Sequence, residues 1–289
     1  MKIGLIDVDG HNFPNLALMK ISAYHKSKGD DVEWFFGFSQ YDIVYMSKVF
    51  TFTEDFMGCI NAKKVIRGGT GYDLENKLPK EIENMFPDYS LYGVNEAYGY
   101  LTRGCPRGCK FCIVAEKEGQ CSKKVADLNS FWNGQKEIKL LDPNLIACKE
   151  WKGLLQQLID SKAWIDFTQG LDIRLMTKEK AEMLNKLKVK MLHFAWDNYE
   201  FETYEKLKEF RPLLDYDFRR LRVYVLTNFN TTHEQDLERV YKLKELGFDP
   251  YIMIYEKDKL PRGHRTKRLQ RWVNSKWIFR SVENFEDYK

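Results

Sequence analysis

Three cysteines fall within eight residues, in the run Thr102-Arg103-Gly104-Cys105-Pro106-Arg107-Gly108-Cys109-Lys110-Phe111-Cys112, with no histidine or further cysteine pair nearby to complete a four-ligand zinc site. The spacing is C-x3-C-x2-C. Three thiolates can hold three irons of a [4Fe–4S] cube. Such clusters are ordinarily held by four cysteines, so the fourth iron keeps an exchangeable position. An open coordination position is a place for chemistry, as it is at a catalytic metal.

Other uses of the cysteines fit less well. A structural zinc site usually pairs two C-x2-C units, or one such unit with a distant H-x3-5-H, and His11, His25, His193, His233 and His264 form no such pair. A closed electron-transfer cluster needs a fourth ligand, for which Cys121 is the nearest candidate, but ferredoxin spacings are tighter. Six cysteines in 289 residues, behind a start of Met-Lys-Ile-Gly that reads as no signal peptide, point to a reduced, cytoplasmic setting rather than a disulfide scaffold.

The motif resembles that of the radical S-adenosylmethionine (radical SAM) enzymes, which have the same spacing and an aromatic residue before the last cysteine, as Phe111 is here. The resemblance implies that Cys105, Cys109 and Cys112 ligate a [4Fe–4S] cluster. It further implies that S-adenosylmethionine chelates the free iron and is cleaved by an electron from the reduced cluster. The product is a 5′-deoxyadenosyl radical that abstracts hydrogen from a substrate. A reductant protein such as flavodoxin or ferredoxin is implied as electron donor. Gly104, Pro106 and Gly108 suit a loop wrapped tightly round a cube.

Such a loop has to be carried by something rigid. From about residue 95 the chain alternates short β-branched or aromatic runs with amphipathic stretches, the pattern of a parallel sheet with crossover helices. Strands are expected at 95–102, 137–141, 164–168, 190–196, 221–227 and 250–255, with helices at 149–162, 178–188 and 234–246. Six such units match the partial (β/α)6 barrel of the radical SAM enzymes, with the cluster loop after the first strand.

Parallel α/β sheets bind ligands at the carboxyl ends of their strands. The residues there include Asp142, Arg174, Asp197 and Asn228. Where the family carries a small-small-Glu element this chain reads Leu140-Leu141-Asp142, so Asp142 is expected at the methionyl ammonium, where an anion offsets the cation. Asp197 is expected at the ribose hydroxyls, Arg174 at the methionyl carboxylate, and Phe111 and Asn228 complete the cofactor-binding set.

The domain reading is a small Rossmann-like unit over 1–70, a linker over 71–94, the radical SAM core over 95–256 and a basic extension over 257–289. The first unit resembles a shortened cobalamin-binding domain. Asp9-Gly10-His11-Asn12-Phe13-Pro14 stands where that family has D-x-H-x-x-G, Ser47-Lys48-Val49 where it has S-x-L, and Gly68-Gly69 where it has G-G; Pro14 departs from the pattern. Cobalamin is therefore an alternative cofactor, and a cobalamin-dependent radical SAM methyltransferase an alternative function. The extension interleaves Arg265, Lys267, Arg268, Arg271, Lys276 and Arg280 with Trp272 and Trp277. It reads as an amphipathic helix over 266–277 whose Leu269, Trp272 and Val273 cover an open barrel edge, while a nucleic-acid surface stays open.

Composition sets the remaining bounds. A 44% hydrophobic and 15% aromatic content fills a large core, and no apolar run nears the ~18 residues of a membrane span, so no membrane partner is expected. A net charge of +4 does not by itself imply nucleic-acid binding. A tRNA methylthiotransferase is disfavoured, since that family needs three further cysteines before the barrel and only Cys59 stands there. The reading from another class is a non-catalytic iron–sulfur module that binds a nucleic-acid or protein partner.

Overall fold

The structure, a computed structural model, describes residues 1–10 and 13–288. The chain is mixed α/β with parallel sheets and divides into two units, residues 1–99 with 128–135, and residues 100–127 with 136–289. No described helix is long and apolar enough to cross a membrane.

In the first unit β1 (Lys2–Asp7), α1 (Leu16–Ser27), β2 (Asp31–Trp34), β3 (Tyr41–Ser47) and β4 (Ala62–Gly68) are followed by the one-turn α2 (Lys80–Glu83) and by β5 (Ala97–Gly99). The strands β2-β1-β3-β4 pair in that order, all parallel. Alternation along β1 sends Ile3 and Leu5 to one core with Leu18, Ile21 and Ile82, and Ile6 to another with Tyr41, Val44 and Met46. Ile82 belongs to the segment expected as a linker. Asn15 caps α1 by accepting from the Leu18 N–H at 3.2 Å and donates its amide to Ser47 Oγ at 2.8 Å.

Of the cobalamin-like marker residues, His11 lies outside the described residues. Asp9 turns its carboxylate to the Val49 and Phe50 N–H groups and the Thr53 hydroxyl.

The second unit begins with a ribbon, β6 (Thr102–Arg103) and β7 (Lys123–Lys124), separated by α3 (Val114–Glu118). There follow β8 (Glu137–Leu140), α4 (Trp151–Ser161), β9 (Trp164–Leu171), α5 (Lys178–Asn185), β10 (Lys188–Ala195), α6 (Phe201–Phe210), β11 (Leu221–Thr227), α7 (His233–Glu245), β12 (Asp249–Ile254), α8 (Arg265–Asn274) and α9 (Lys276–Ser281). The strands β12-β11-β10-β9-β8 run parallel in that order. One face carries Ile138, Ile165, Leu192, Phe194, Val223, Val225 and Ile252, all fully buried. Leu154, Leu155, Leu158, Leu184, Leu207, Val240 and Leu243 repeat at helical spacing as the buried stripes of α4 to α7.

Two local expectations are corrected. The strand expected over 95–102 is broken, because the Leu101 and Thr102 N–H groups donate to the Asp142 carboxylate instead of continuing a ladder, and Thr102–Arg103 pairs antiparallel with Lys123–Lys124. The helix expected over 266–277 ends at Asn274, because the Asn274 side chain bonds both the N–H and the C=O of Ile252, at 2.8 and 3.1 Å. Gln270 adds a bond to the same carbonyl. In this way α8 satisfies backbone groups of β12, the last strand in the order, which would otherwise be an open edge.

The cations of the tail mostly turn to their own chain. Arg265 pairs with Glu234 and Glu286, Lys276 with Asp249, Lys267 bonds the Leu260 carbonyl, and Arg268 lies over the Phe285 ring.

Candidate active site

The cysteine loop leaves β6 and returns through α3 to β7, so the two-residue ribbon pinches its base. Gly104 opens the loop at φ +86, and a Cβ there would overlap the Cys121 carbonyl oxygen, so only glycine fits. Glu118 closes the loop from α3 by accepting from Arg103 at 2.8 Å and from the Gly104 N–H at 3.1 Å. The Cys105 N–H donates to the Gly119 carbonyl, and the Cys112 N–H to that of Cys109.

Cys109 and Cys112 have thiols raised in pKa chiefly by burial, with the Asp197 carboxylate and the neighbouring thiols adding to the rise. The three cysteines and Asp197 thus share one electrostatic neighbourhood. Among the described residues no three His, Cys, Asp or Glu side chains converge on a point suited to a single metal ion. A cube takes its thiolates at separate iron corners, so its ligands need not converge.

The donor set suits the cluster in two further respects. All six cysteines are free thiols. Asn144, buried beside the loop, holds its amide nitrogen 3.8 Å from Cys105 Sγ, the type of contact to sulfur that tunes a cluster potential, and its Oδ1 has no partner among the described residues.

The other expected residues divide by what they already hold. Asp142 is spoken for: its carboxylate accepts from the Leu101 N–H, the Thr102 N–H and the Thr102 hydroxyl at 3.1, 2.5 and 2.6 Å. Burial pushes its pKa up to about 6, against which those donors favour the ionised form. It braces the entry to the cysteine loop. Arg174 donates to Asp172 at 2.8 Å and reaches Glu200 at 3.4 Å, while Asp172 also receives Arg107 from between the first two cysteines. Asn228 takes the left-handed conformation at φ +62 just past β11 and spends its amide N–H on the Tyr255 carbonyl at 2.8 Å. Phe111 packs edge-to-face on Phe229, 5.4 Å between centroids, and Phe229 packs on Tyr255.

Asp197 is the exception. No hydrogen bond to its carboxylate is made among the described residues, and burial pushes it up to about 6 although Arg239 and Arg174 act to lower it. An ionisable group left unpaired beside three thiols is available to a ligand.

Arg239 was not singled out in the sequence. It is fully buried in α7, where its guanidinium donates to the carbonyls of Trp196 (2.5 Å), Asp197 (3.2 Å) and Leu226 (2.7 Å) and to Asp236 (2.5 Å). It therefore fixes the carboxyl ends of β10 and β11 and, with them, the position of Asp197. The available signal was an arginine adjoining Val240 on the apolar face of a helix, with an aspartate three residues before it. Arg107 and Glu118 were likewise missed, since Arg107 meets Asp172 across 65 positions and Glu118 meets Gly104 across 14.

No protein-family model matches the sequence, and no curated protein matches it either. Among solved structures the chain is similar to Streptococcus suis SuiB bound to the precursor peptide SuiA, at 15% identity over 64% of this chain and 46% of that one, with a TM-score of 0.44. SuiB bound to S-adenosylmethionine matches at 15% identity over 65% and 48%, with a TM-score of 0.45. A further SuiB structure matches at 16% identity over 65% and 47%, with a TM-score of 0.43. The chain spans about half the length of these structures.

Proposed function

We propose that this chain is a radical SAM enzyme, with Cys105, Cys109 and Cys112 ligating a [4Fe–4S] cluster. The observation that carries the reading is the C-x3-C-x2-C loop lying in one electrostatic neighbourhood with an unpartnered Asp197 carboxylate past the end of β10. When bound, the cluster supplies the electron that splits the sulfonium of S-adenosylmethionine to give a 5′-deoxyadenosyl radical for hydrogen abstraction from a substrate.

The chain's own groups do the holding. Asp197 accepts from the ribose hydroxyls, and Arg174, poised between Asp172 and Glu200, faces the methionyl carboxylate. Asp142 holds the loop entry through Leu101 and Thr102, and Phe111 walls one side with Phe229.

The test is the anaerobically reconstituted, chemically reduced wild type. It is expected to convert S-adenosylmethionine to 5′-deoxyadenosine and methionine, measured by chromatography; a fully loaded cluster that yields no 5′-deoxyadenosine rejects the reading. On cluster-loaded protein, Asp197→Ala is expected to weaken S-adenosylmethionine binding by ~1.5–3 kcal/mol, the usual worth of a hydrogen bond to a charged group. Calorimetry reads this directly, and an unchanged affinity removes Asp197 from the site. Asp142→Ala strands buried donors and is expected instead to lower cluster occupancy and melting temperature together.

A further inference from the structure

One face of the second unit's sheet is unlike the apolar face under the helices. Partners across a parallel ladder share a face, and the register Met191↔Asp166, His193↔Arg222, Ala195↔Tyr224 and Tyr224↔Tyr251 sets Asp166, His193, Tyr224 and Tyr251 together. Parallel sheets are normally apolar on both faces. His193 lies two positions before the carboxyl end of β10 at Ala195 and four before Asp197, so it sits roughly 7 Å below the end of the strand.

His193 is held but only half satisfied. Its side chain keeps 7% exposure, and Nδ1 lies 2.9 Å from the Phe167 carbonyl oxygen, which can only accept. The ring proton therefore sits on Nδ1, and Nε2 offers a lone pair with no hydrogen-bond partner among the described residues. The ring stacks on Tyr224 at 4.7 Å and 5°, while the Tyr224 hydroxyl is anchored on the Thr168 carbonyl at 2.8 Å. Burial pushes His193 down to about 4, so the imidazole is neutral at physiological pH. Asp166 Oδ1 is buried without a hydrogen-bond partner among the described residues, 3.9 Å from His193 Nδ1.

The β9–β10 ladder also slips beside this pair, between Phe167 and Leu171, with Gly170 at φ +94 against the His193 backbone. Irregularities of this kind re-aim side chains and gather beside active sites.

His193 Nε2 is not among the buried unpartnered atoms, and the Asp166 side chain keeps 18% exposure although its Oδ1 is shut in, so both groups are open to a ligand. What the two groups offer are acceptors, set against aromatic faces. We propose that His193 Nε2 and the Asp166 carboxylate form the acceptor pair of a substrate site on this face, for a planar nitrogen heterocycle that presents N–H donors. The inference rests on the functional reading above, in which Asp197 marks the cofactor end of β10.

The experiment is a titration of the reconstituted full chain, labelled with 15N-histidine, by three soluble probes. Guanosine carries adjacent N–H and NH2 donors, indole-3-acetamide a single ring N–H, and caffeine a planar ring with none. The His193 resonances, identified by their loss in His193→Asn, are expected to show an Nδ1–H tautomer whose Nε2 signal moves with guanosine and stays still with caffeine. A stronger response to indole-3-acetamide would assign the site to an indole and not to a purine-like ring, and would overturn the two-donor form of the proposal. Asp166→Asn is expected to weaken guanosine binding at least about tenfold, as loss of a charged acceptor does. No movement of Nε2 at millimolar guanosine, or equal movement with caffeine, overturns the proposal, and the wild-type titration decides this even where a variant fails to fold. A chain that binds guanosine yet makes no 5′-deoxyadenosine rejects the functional reading alone.

Discussion

Cys105→Ala, Cys109→Ala and Cys112→Ala are each expected to leave the reconstituted protein without an intact cluster and without detectable 5′-deoxyadenosine. The expected loss is complete because, in the proposed site, each thiolate would hold a separate iron and its removal would leave that iron without its protein ligand. The folded structure should persist. The loop is pinned by Glu118, by the β6–β7 ribbon and by the Cys105 N–H, and none of these uses a sulfur atom. Melting temperatures of the apo forms check this.

Two control variants separate the competing ligand sets. Cys148→Ala removes a buried thiol that donates to Glu150 at 3.1 Å, and is expected to keep the cluster. Cys121→Ala tests the closed-cluster alternative, since the Cys121 backbone abuts Gly104 at the loop entrance. Iron and sulfide analysis that finds a full, active cluster in any of the three motif variants overturns the ligand assignment. Loss of the cluster in Cys121→Ala would instead favour a fourth protein ligand and an electron-transfer role.

The second large effect concerns the tail. Trp272 is fully buried, and its ring meets Phe279, Phe285 and Tyr241 while its indole N–H donates to the Val282 carbonyl at 3.0 Å. Trp272→Ala therefore opens a cavity and also frees a buried carbonyl. The expected cost is ~3–5 kcal/mol, which corresponds to a fall in melting temperature on the order of 10 °C. Trp272→Phe keeps the packing but loses the N–H, and should cost about 1 kcal/mol. Reversing Arg265, whose pairs with Glu234 and Glu286 are exposed and long at 3.5 and 3.3 Å, should change stability by less than about 1 kcal/mol. A Trp272→Ala protein that melts with the wild type would mean that α8 is not part of the fold's core.

The cysteine loop and the helices of the second unit were legible in the sequence because each depends on spacing within a few residues. C-x3-C-x2-C is one loop, and Leu154-Leu155-Leu158 is one helix face. Trp272 was legible for the same reason, as part of an apolar stripe with Leu269 and Val273. Charged groups were not, because a carboxylate or guanidinium has the same sequence signature whether it meets a ligand or its own backbone.

Asp142 is the sharpest case. Its carboxylate receives donors from residues some forty positions away, and no local pattern announces those bonds. Asn228 and Arg174 are partly occupied in the same way, by Tyr255 and by Asp172.

Only tertiary structure decided which carboxylate stays free. Arg239, buried in α7, grips the Trp196 and Asp197 carbonyls, and among the described residues the Asp197 carboxylate accepts no hydrogen bond. The physical reason is that burial and hydrogen-bond satisfaction are properties of the packed chain. Residue types and short-range spacing determined the loop, its three cysteines and the strand–helix rhythm, whereas the occupation of each polar atom was fixed only when distant segments met.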